Sequence, residues 1–162
     1  MEAKLVSYII PVYNVSAYIE RCAKSLFTQT YGDIEFIFIN DCSTDDSEVK
    51  LRKVIELFPN VQCRVKIISN KTNLGSATTR NIGLSNATGD YVMFADSDDW
   101  VESNYVELMV NTIEASEKDI VYCDYYESFK DQDKYVKQDY GEEHLECICS
   151  MLTRAMHGST WN

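Results

Sequence analysis

The sequence has no apolar run near the roughly 20 residues that a membrane-spanning helix needs. Its N-terminus also lacks the apolar core of a secretory signal peptide. These absences predict a cytoplasmic chain. Any peripheral association with the inner face of the cell membrane is expected to come from segments beyond residue 162.

Basic charge is scarce, because 15 Lys and Arg residues face 26 Asp and Glu residues and give a net charge of −11. A nucleic-acid-binding face or a polybasic membrane patch needs the opposite sign, so both are disfavoured. The six cysteines form no Cys-x-x-Cys pair. This usage predicts reduced thiols in a cytosol and argues against a zinc site.

Glycine is also rare, with six residues in the chain, and none lies in residues 11–14 after the first predicted strand. A Gly-x-Gly-x-x-Gly sequence is absent, which disfavours a dinucleotide-dependent oxidoreductase. A sugar nucleotidyltransferase is expected to have a glycine-rich phosphate loop at this point. A receiver-type phosphoacceptor domain would need an acidic pair there, and this chain has none.

The length suits one α/β domain, residues 1–162, in which strands and helices alternate. This order predicts a mainly parallel central sheet with helices on both faces. Ser16 and Ser103 are the expected N-caps of the first and last helices between strands. Residues 43–45 are expected to cap the second helix, and Pro59 to end it. The predicted strands are residues 5–10, 34–39, 65–69, 91–95 and 119–126.

Beyond the fifth strand the signals are weaker. Residues 130–138 indicate a charged loop or an exposed hairpin, and Leu145 to Leu152 fit a final amphipathic helix. In the helix after the fourth strand, the apolar residues at helical spacing are Tyr105, Leu108, Met109 and Ile113.

The fourth predicted strand ends in Asp96-Ser97-Asp98-Asp99, three carboxylates within four residues. Oxygen ligands are those that Mg²⁺ and Mn²⁺ prefer, and Mg²⁺ typically combines one or two carboxylates with substrate phosphates. The sequence therefore predicts a metal-bridged phosphate ligand beyond the end of this strand. An ordinary acidic turn is the alternative, because Asp and Ser are common turn residues.

Arg80 is the cation placed near this region, on a predicted helix that follows a loop of residues 70–75. Its guanidinium is expected to face either a phosphate or the acidic cluster. A surface ion pair is the alternative interpretation. In a parallel sheet, residues 11–14, 40–43 and 96–99 would line one edge, and a ligand that reaches all three should have a flat part and a phosphorylated part.

Four motifs stand in the order found in the family 2 glycosyltransferases, which the chain resembles from about residue 7 to 101 and more loosely to residue 162. They are Ile9-Ile10-Pro11-Val12-Tyr13-Asn14, Asn40-Asp41-Cys42-Ser43-Thr44-Asp45, residues 73–83, and Gly89-Asp90-Tyr91 through Asp96-Ser97-Asp98-Asp99-Trp100. The resemblance implies inverting sugar transfer on a GT-A nucleotide-sugar-binding fold.

For the nucleotide base, the resemblance implies that Pro11 and Tyr13 form a wall beside it. Asp41 would accept a hydrogen bond from the base. An ionised carboxylate is only an acceptor and needs a donor edge, which suits the imide N–H of uracil and favours a UDP-sugar.

For the phosphates, the resemblance implies that Arg80 lies near the diphosphate and Asp96 near the ribose and the metal. Asp98 is the second acid of the DxD motif and would bind Mn²⁺ or Mg²⁺, with Asp99 as a further candidate ligand. The ion would act as a Lewis acid on the departing diphosphate.

The chain departs from the family pattern in the second motif, where Asp-Asp-Gly-Ser is common and this sequence has Asn40-Asp41-Cys42-Ser43. Asn40 could alter the ribose contacts. Thr79 replaces a small alanine before Arg80, a change expected to be tolerated.

No residue can be assigned as the general base that inversion requires, so we expect the base beyond residue 162. The prediction is the donor-binding part of a longer enzyme that transfers sugar to a saccharide or lipid-linked acceptor, in surface polysaccharide synthesis. The alternatives are a nucleotide- and metal-binding module without catalysis, or a sugar nucleotidyltransferase.

Overall fold

The computed structural model describes residues 3–116, 118–128 and 132–137. The chain divides into two compact units, Met1–Asn111 and Thr112–Asn162. In chain order, the described elements are β1 (Val6–Val12), α1 (Ile19–Phe27), β2 (Ile34–Asn40), α2 (Ser47–Glu56), α3 (Pro59–Gln62), β3 (Val65–Ser69), α4 (Ser76–Leu84), β4 (Tyr91–Phe94), α5 (Tyr105–Glu114), β5 (Tyr125–Ser128) and β6 (Asp133–Val136). No helix in these ranges has both the length and the apolar character to cross a membrane.

The first unit contains a four-stranded parallel sheet in the order β3-β2-β1-β4. Strand β1 pairs with β2 along its whole length, whereas β4 pairs only with the first four residues of β1. The chain moves outward from β1 to β3 and then returns to the other side of β1. This reversal places a topological switch point between β1 and β4, where open α/β sheets bind their ligands.

Side chains of β1 alternate between two apolar layers, as expected for an interior parallel strand. Val6, Tyr8, Ile10 and Val12 belong to a core shared with buried residues of α1, α2 and α5. Ile9 belongs to a second core, against which Ile82 of α4 packs. The predicted parallel sheet with helices on both faces is therefore confirmed.

Pro11 lies inside β1, although the sequence placed it just after the strand. The carbonyls of Leu5 and Ile9 accept hydrogen bonds from the backbone N–H groups of Tyr91 and Ala95. The backbone polar groups of every second residue along β1 therefore point toward β4. Pro11 is next in this series, beyond the last paired residue of β4. Its missing N–H therefore costs no ladder hydrogen bond.

Gly83 allows α4 to approach the sheet closely. A Cβ at this position would lie 2.3 Å from Cγ2 of Ile9 and 3.0 Å from Cδ1 of Ile39. Both isoleucines are fully buried, so neither has free space to move into. The glycine thus sets the distance between the helix and the sheet.

We expect Gly83→Ala to destabilise the domain by about 1–2 kcal/mol. Overpacking a core costs about 1–3 kcal/mol, and a contact of 2.3 Å between buried groups belongs to the upper part of that range, whereas the better helix propensity of Ala returns only about 1 kcal/mol. Urea denaturation at neutral pH measures the difference. Thr78→Ala is the control, because it raises propensity at an exposed site of the same helix. A Gly83→Ala protein as stable as this control would contradict the close-packing explanation.

The fifth strand predicted at residues 119–126 is wrong. Residues 118–124 have no regular structure, and Tyr125–Ser128 pairs antiparallel with Asp133–Val136 in a separate hairpin. Strand-forming residues indicate extended backbone but not its partner. The hairpin alternative for residues 130–138 is supported by β6, whereas the predicted helix from Leu145 to Leu152 lies outside the described residues.

Two predicted N-caps are also wrong. Helix α1 begins at Ile19 after a turn, and the backbone N–H of Ser16 donates to Asp45. Helix α5 begins at Tyr105, two residues after Ser103. Serine favours turns as well as caps, and the pattern did not distinguish them.

The boundaries of α2 and the buried face of α5 differ as well. The N-cap position of α2 is Asp46, and Pro59 opens the short helix α3 after α2 has already ended. In α5, the buried residues are Val106 and Val110, while Leu108 from the predicted face is 54% exposed.

Candidate functional site at the strand tips

The loops that follow β1 and β2 are joined by polar contacts. The backbone N–H of Asn14 donates to the hydroxyl of Ser43 (3.2 Å), and the N–H of Thr44 donates to Oδ1 of Asn14 (2.8 Å). The N–H of Ser16 donates to Oδ2 of Asp45 (2.9 Å). These contacts hold the ends of two neighbouring strands in one arrangement.

Tyr13 lies in this joined segment, directly after the last residue of β1, with 47% of its surface exposed. Asn14 follows with a φ of 51°, a left-handed conformation that Asn tolerates better than most residues. Pro11 precedes Tyr13 in β1 and is half-buried. Tyr13 therefore presents ring surface beside the strand tips, the position at which the sequence placed a wall for a base.

Asp41 follows β2 and is only 3% exposed. Its Oδ1 accepts hydrogen bonds from the amide of Asn70 (2.8 Å) and the N–H of Leu74 (2.9 Å), and its Oδ2 accepts from the N–H of Gly75 (2.9 Å). Burial alone would raise the pKa of this carboxyl, but the hydrogen bonds outweigh it and hold the pKa below the ordinary value. The carboxylate thus fixes the loop that leads into α4.

This contact gives Asp41 a role that the sequence did not indicate. Gly75 is the N-cap of α4 and contributes no side chain, with a φ of 80°. The carboxylate of Asp41 accepts from the N–H of this N-cap and from that of Leu74 before it, and its charge suits the positive end of the helix dipole. Asp41 therefore sets the position of the helix that carries Arg80.

Asn40 stands where the resembled motif commonly has an acid. The side chain is buried, donates to Oε2 of Glu48 (2.5 Å) and accepts from the N–H of Ser43 (2.9 Å). A hydrogen bond from Arg52 lowers the pKa of Glu48, and those from Asn40 and Ser69 add to the shift. An aspartate at position 40 would face this ionised carboxylate, so the amide is matched to Glu48.

Cys42 occupies the position of the motif glycine and has a φ of 61°. Left-handed backbone is unfavourable for a residue with a Cβ, whereas glycine adopts it readily. The chain therefore keeps the backbone conformation of the motif without its usual residue.

We expect Cys42→Gly to stabilise the domain by about 0.5–1 kcal/mol. Removing the strain is worth about 1–2 kcal/mol, and the added freedom of glycine in the unfolded chain offsets roughly half of it. Urea denaturation under reducing conditions measures the change. Cys63→Gly is the matched control, because Cys63 is exposed at a φ of −70° and the same substitution there should destabilise. Equal effects at the two positions would show that the left-handed conformation of Cys42 carries no strain.

The acidic turn, residues 96–99, follows β4 at the same edge of the sheet. The N–H of Asp99 donates to the carbonyl of Asp96 (3.0 Å), which closes the turn, and Ser97 is buried. Asp98 and Asp99 are exposed and form no side-chain hydrogen bond or ion pair within the described part of the chain. Two carboxylates therefore remain available to a ligand.

Arg80 of α4 pairs with Asp96 and also donates to the hydroxyl of Ser76. The sequence left open whether the guanidinium faces a phosphate or the acidic cluster, and the structure shows the contact with the cluster. Both side chains of the pair are partly exposed. A phosphate at this point could still reach the outer face of the guanidinium.

The charge of the turn is only partly compensated. Although Asp99 as a whole residue is exposed, its carboxyl group is partly buried, which raises its pKa, and the charges of Asp98 and Asp96 raise the pKa further. Burial together with the same acids raises the pKa of the Cys22 thiol behind the turn to about 12. Arg80 neutralises Asp96, so the excess negative charge lies at Asp98 and Asp99.

No group of three His, Cys, Asp or Glu side chains in residues 3–116, 118–128 and 132–137 is arranged to hold an ion on its own. The structure brings Arg80 and Asp96 together and places Asp98 and Asp99 beside them. It directs Asp41 toward the loop before α4, and it leaves Tyr13 at the end of β1. The predicted residues thus share one sheet edge.

Comparison with known proteins gives the family. The model for glycosyl transferase family 2 matches residues 7–157. The chain is 36% identical to the putative glycosyltransferase EpsH of Bacillus subtilis, covering all of this chain and 47% of that protein. It is also 36% identical to the glycosyltransferase GlyA of Streptococcus pneumoniae, covering 88% of this chain and 20% of that protein.

Solved structures agree with this result. Residues 1–349 of Staphylococcus aureus TarS in complex with UDP are 30% identical, with a TM-score of 0.59 over 68% of this chain and 32% of that one. The mannosyltransferase PcManGT of Pyrobaculum calidifontis is 24% identical, with a TM-score of 0.64 over 70% of this chain and 33% of that one. The fold is that of the GT-A glycosyltransferases.

The chain belongs to glycosyltransferase family 2. It spans about half the length of EpsH and a fifth of the length of GlyA.

Proposed function

We propose that this chain is the donor-binding part of an inverting glycosyltransferase, and that it binds a UDP-sugar together with Mn²⁺ or Mg²⁺. The observation that carries the proposal is the acidic turn at the switch point between β1 and β4, with two carboxylates beside Arg80 that have no partner among the residues the structure describes. Membership of family 2 favours sugar transfer over nucleotidyl transfer. The UDP and UDP-GlcNAc complexes of TarS, at 30% identity, support a uridine nucleotide.

The residues of the turn fit a divalent ion. Their donors are carboxylate oxygens, and Mg²⁺ commonly takes only one or two of these and completes its shell with phosphate oxygens and water. Asp98 and Asp99 would hold the ion, whose positive charge would offset both the burial and the repulsion that raise the pKa of Asp99. When bound, the ion supplies Lewis-acid stabilisation of the charge on the leaving diphosphate.

The other residues have roles in binding and orientation. Tyr13 and Pro11 would line the base, and Asp41 would reach it through the lone pairs that its three donors leave free. Arg80, held by Asp96, would bind the diphosphate, and Asp96 would also lie near the ribose and the metal. Asp41 further orients Arg80 indirectly, because it fixes the start of α4.

The acceptor, a saccharide or a lipid-linked saccharide, would bind mainly to protein outside residues 1–162. The general base would also belong to that part of the enzyme. This chain spans about half of EpsH and a fifth of GlyA, which supports separate donor-binding and acceptor-binding parts. A part in surface polysaccharide synthesis and a cytoplasmic location are further predictions, which come from the family resemblance.

Isothermal titration calorimetry with UDP, GDP and dTDP, each with Mn²⁺ and with EDTA, tests the proposal. We expect UDP with Mn²⁺ to bind most tightly and binding to weaken strongly in EDTA. A sugar-transfer assay on the same protein should show little or no turnover. Equal binding of the three nucleotides without metal would contradict the donor site, and full turnover would contradict the division between donor and acceptor parts.

A further inference from the structure

The connection between β4 and α5, residues 95–104, contains the acidic turn and has few contacts of its own. Within it, the backbone N–H of Asp99 donates to the carbonyl of Asp96 (3.0 Å), and at its end the backbone N–H of Tyr105 donates to the carbonyl of Glu102 (3.1 Å). Three carboxylates in four residues repel one another, so this segment does not favour one arrangement by itself. Its position must depend on contacts with other elements.

One face of α1 supplies several of these contacts. The guanidinium of Arg21 lies 3.1 Å from the ring centroid of Trp100, directly after the turn. The hydroxyl of Ser25 accepts a hydrogen bond from the N–H of Val101 (3.2 Å). Arg21 and Ser25 are four residues apart and so lie on the same face of α1. Their partners, Trp100 and Val101, follow each other in the connection in the same order.

Gln29 lies just after α1 and continues this series. Its Nε2 donates to the carbonyls of Glu102 (2.8 Å) and Ser25 (3.0 Å), and its Oε1 accepts from the N–H of Val106 (2.9 Å). Both ends of the amide are therefore used. One side chain joins the last turn of α1, the connection and the first turn of α5, whose N–H groups have no partner within the helix.

We infer that Gln29 is a positioning residue for ion-dependent donor binding. By holding Glu102 and the start of α5 against the end of α1, it keeps the acidic turn in the arrangement that the ion requires. The inference rests on the proposed function in assigning the ion to the turn. The restraint of Glu102 and of the start of α5 by Gln29 rests on the contacts alone.

The test uses two readouts, one of which needs no ligand. Trp161→Phe leaves Trp100 as the only tryptophan in the chain, so its fluorescence reports on the residue next to the turn. In this parent, Gln29→Met removes both polar ends of the side chain at similar volume. Gln29→Glu keeps an acceptor for Val106 but loses the donor to Glu102. Gln62→Met is the matched control at an exposed site in α3.

We expect Gln29→Met to shift the emission of Trp100 to longer wavelength without any ligand, because Trp100 leaves its packed position. In calorimetry with UDP, the Mn²⁺ concentration for half-maximal binding should rise about tenfold, as for loss of a group that orients a metal ligand. Binding of UDP in EDTA should stay at the parent value. Gln29→Glu should shift both readouts in the same direction, and should do so even if the Met variant fails to fold.

A merely structural role would lower the melting temperature and weaken UDP binding equally with and without Mn²⁺, which would overturn the inference. Parent emission and parent Mn²⁺ dependence in either Gln29 variant would also overturn it. If the parent itself shows no Mn²⁺-dependent binding, the proposed function fails, and the emission of Trp100 then decides separately whether Gln29 holds the turn.

Discussion

Asp41→Ala is expected to cost the domain about 2–4 kcal/mol of folding free energy. The substitution leaves the amide of Asn70 and the N–H groups of Leu74 and Gly75 without their acceptor. A hydrogen bond to a charged group contributes about 1.5–3 kcal/mol, and water can reach part of this loop and recover some of the loss. Because small domains are stable by only about 5–15 kcal/mol, the effect should be clear in urea denaturation at pH 7.

The isosteric variant Asp41→Asn removes the charge of the side chain but keeps its shape. The pH dependence of the stability difference from the parent therefore measures the contribution of the charge. The pKa of Asp41 is lowered in the folded state, so its ionisation stabilises the fold at any pH above the unfolded value of about 3.9. This stabilisation is lost as the pH falls through the folded pKa. The difference between the parent and Asp41→Asn should therefore be largest near neutral pH and shrink below about pH 4.

Asp33→Asn is the control for this series, because Asp33 is exposed at the opposite end of β2 and its side chain has no partner in the described residues. It should change stability little at any pH. A constant difference between the parent and Asp41→Asn down to pH 3 would mean that the charge of Asp41 does not stabilise the loop before α4.

Asp98→Ala is expected to abolish most of the metal dependence of nucleotide binding. Changes to groups that merely orient a metal ligand commonly cost 10–100-fold, so removing a direct ligand should weaken UDP binding with Mn²⁺ by about 100-fold. Binding in EDTA should stay the same, because Tyr13 and Asp41 are untouched. Calorimetry with and without Mn²⁺ measures both quantities.

The same variant should not destabilise the protein. Asp98 is exposed and adds to the repulsion at Asp99, so its removal should leave the melting temperature unchanged or raise it slightly. Loss of binding together with a lower melting temperature would point to unfolding instead of a lost ligand. Unchanged binding with Mn²⁺ would remove Asp98 from the ion site.

The sheet could be predicted from the sequence because its two inner strands, β1 and β2, are buried on both faces and have nearly continuous apolar sequences. Residues 65–69 were placed correctly, and the helix predicted to follow the loop of residues 70–75 does begin at Ser76. The strand predicted at residues 119–126 failed because extended residues do not reveal their partner. Helix starts failed at Ser16 and Ser103, where serine takes part in turns.

The site was predictable where short motifs follow strands, as with Asp41 and the acidic turn. What the sequence could not show are contacts between distant segments. Asp41 binds residues 70–75, Asn40 binds Glu48 on α2, and Gln29 binds residues more than 70 positions away. No periodicity or spacing in the sequence identifies these partners, because each contact forms only after the folded sheet has brought the two segments together.

The most direct measurement of the central claim is a crystal structure of this chain with UDP and Mn²⁺, in which the anomalous signal locates the ion. We expect the ion beside the carboxylate of Asp98 and close to the diphosphate. The base should lie against Tyr13. An ion on the diphosphate but away from residues 96–99, or a nucleotide bound away from the tips of β1, β2 and β4, would contradict the proposed donor site.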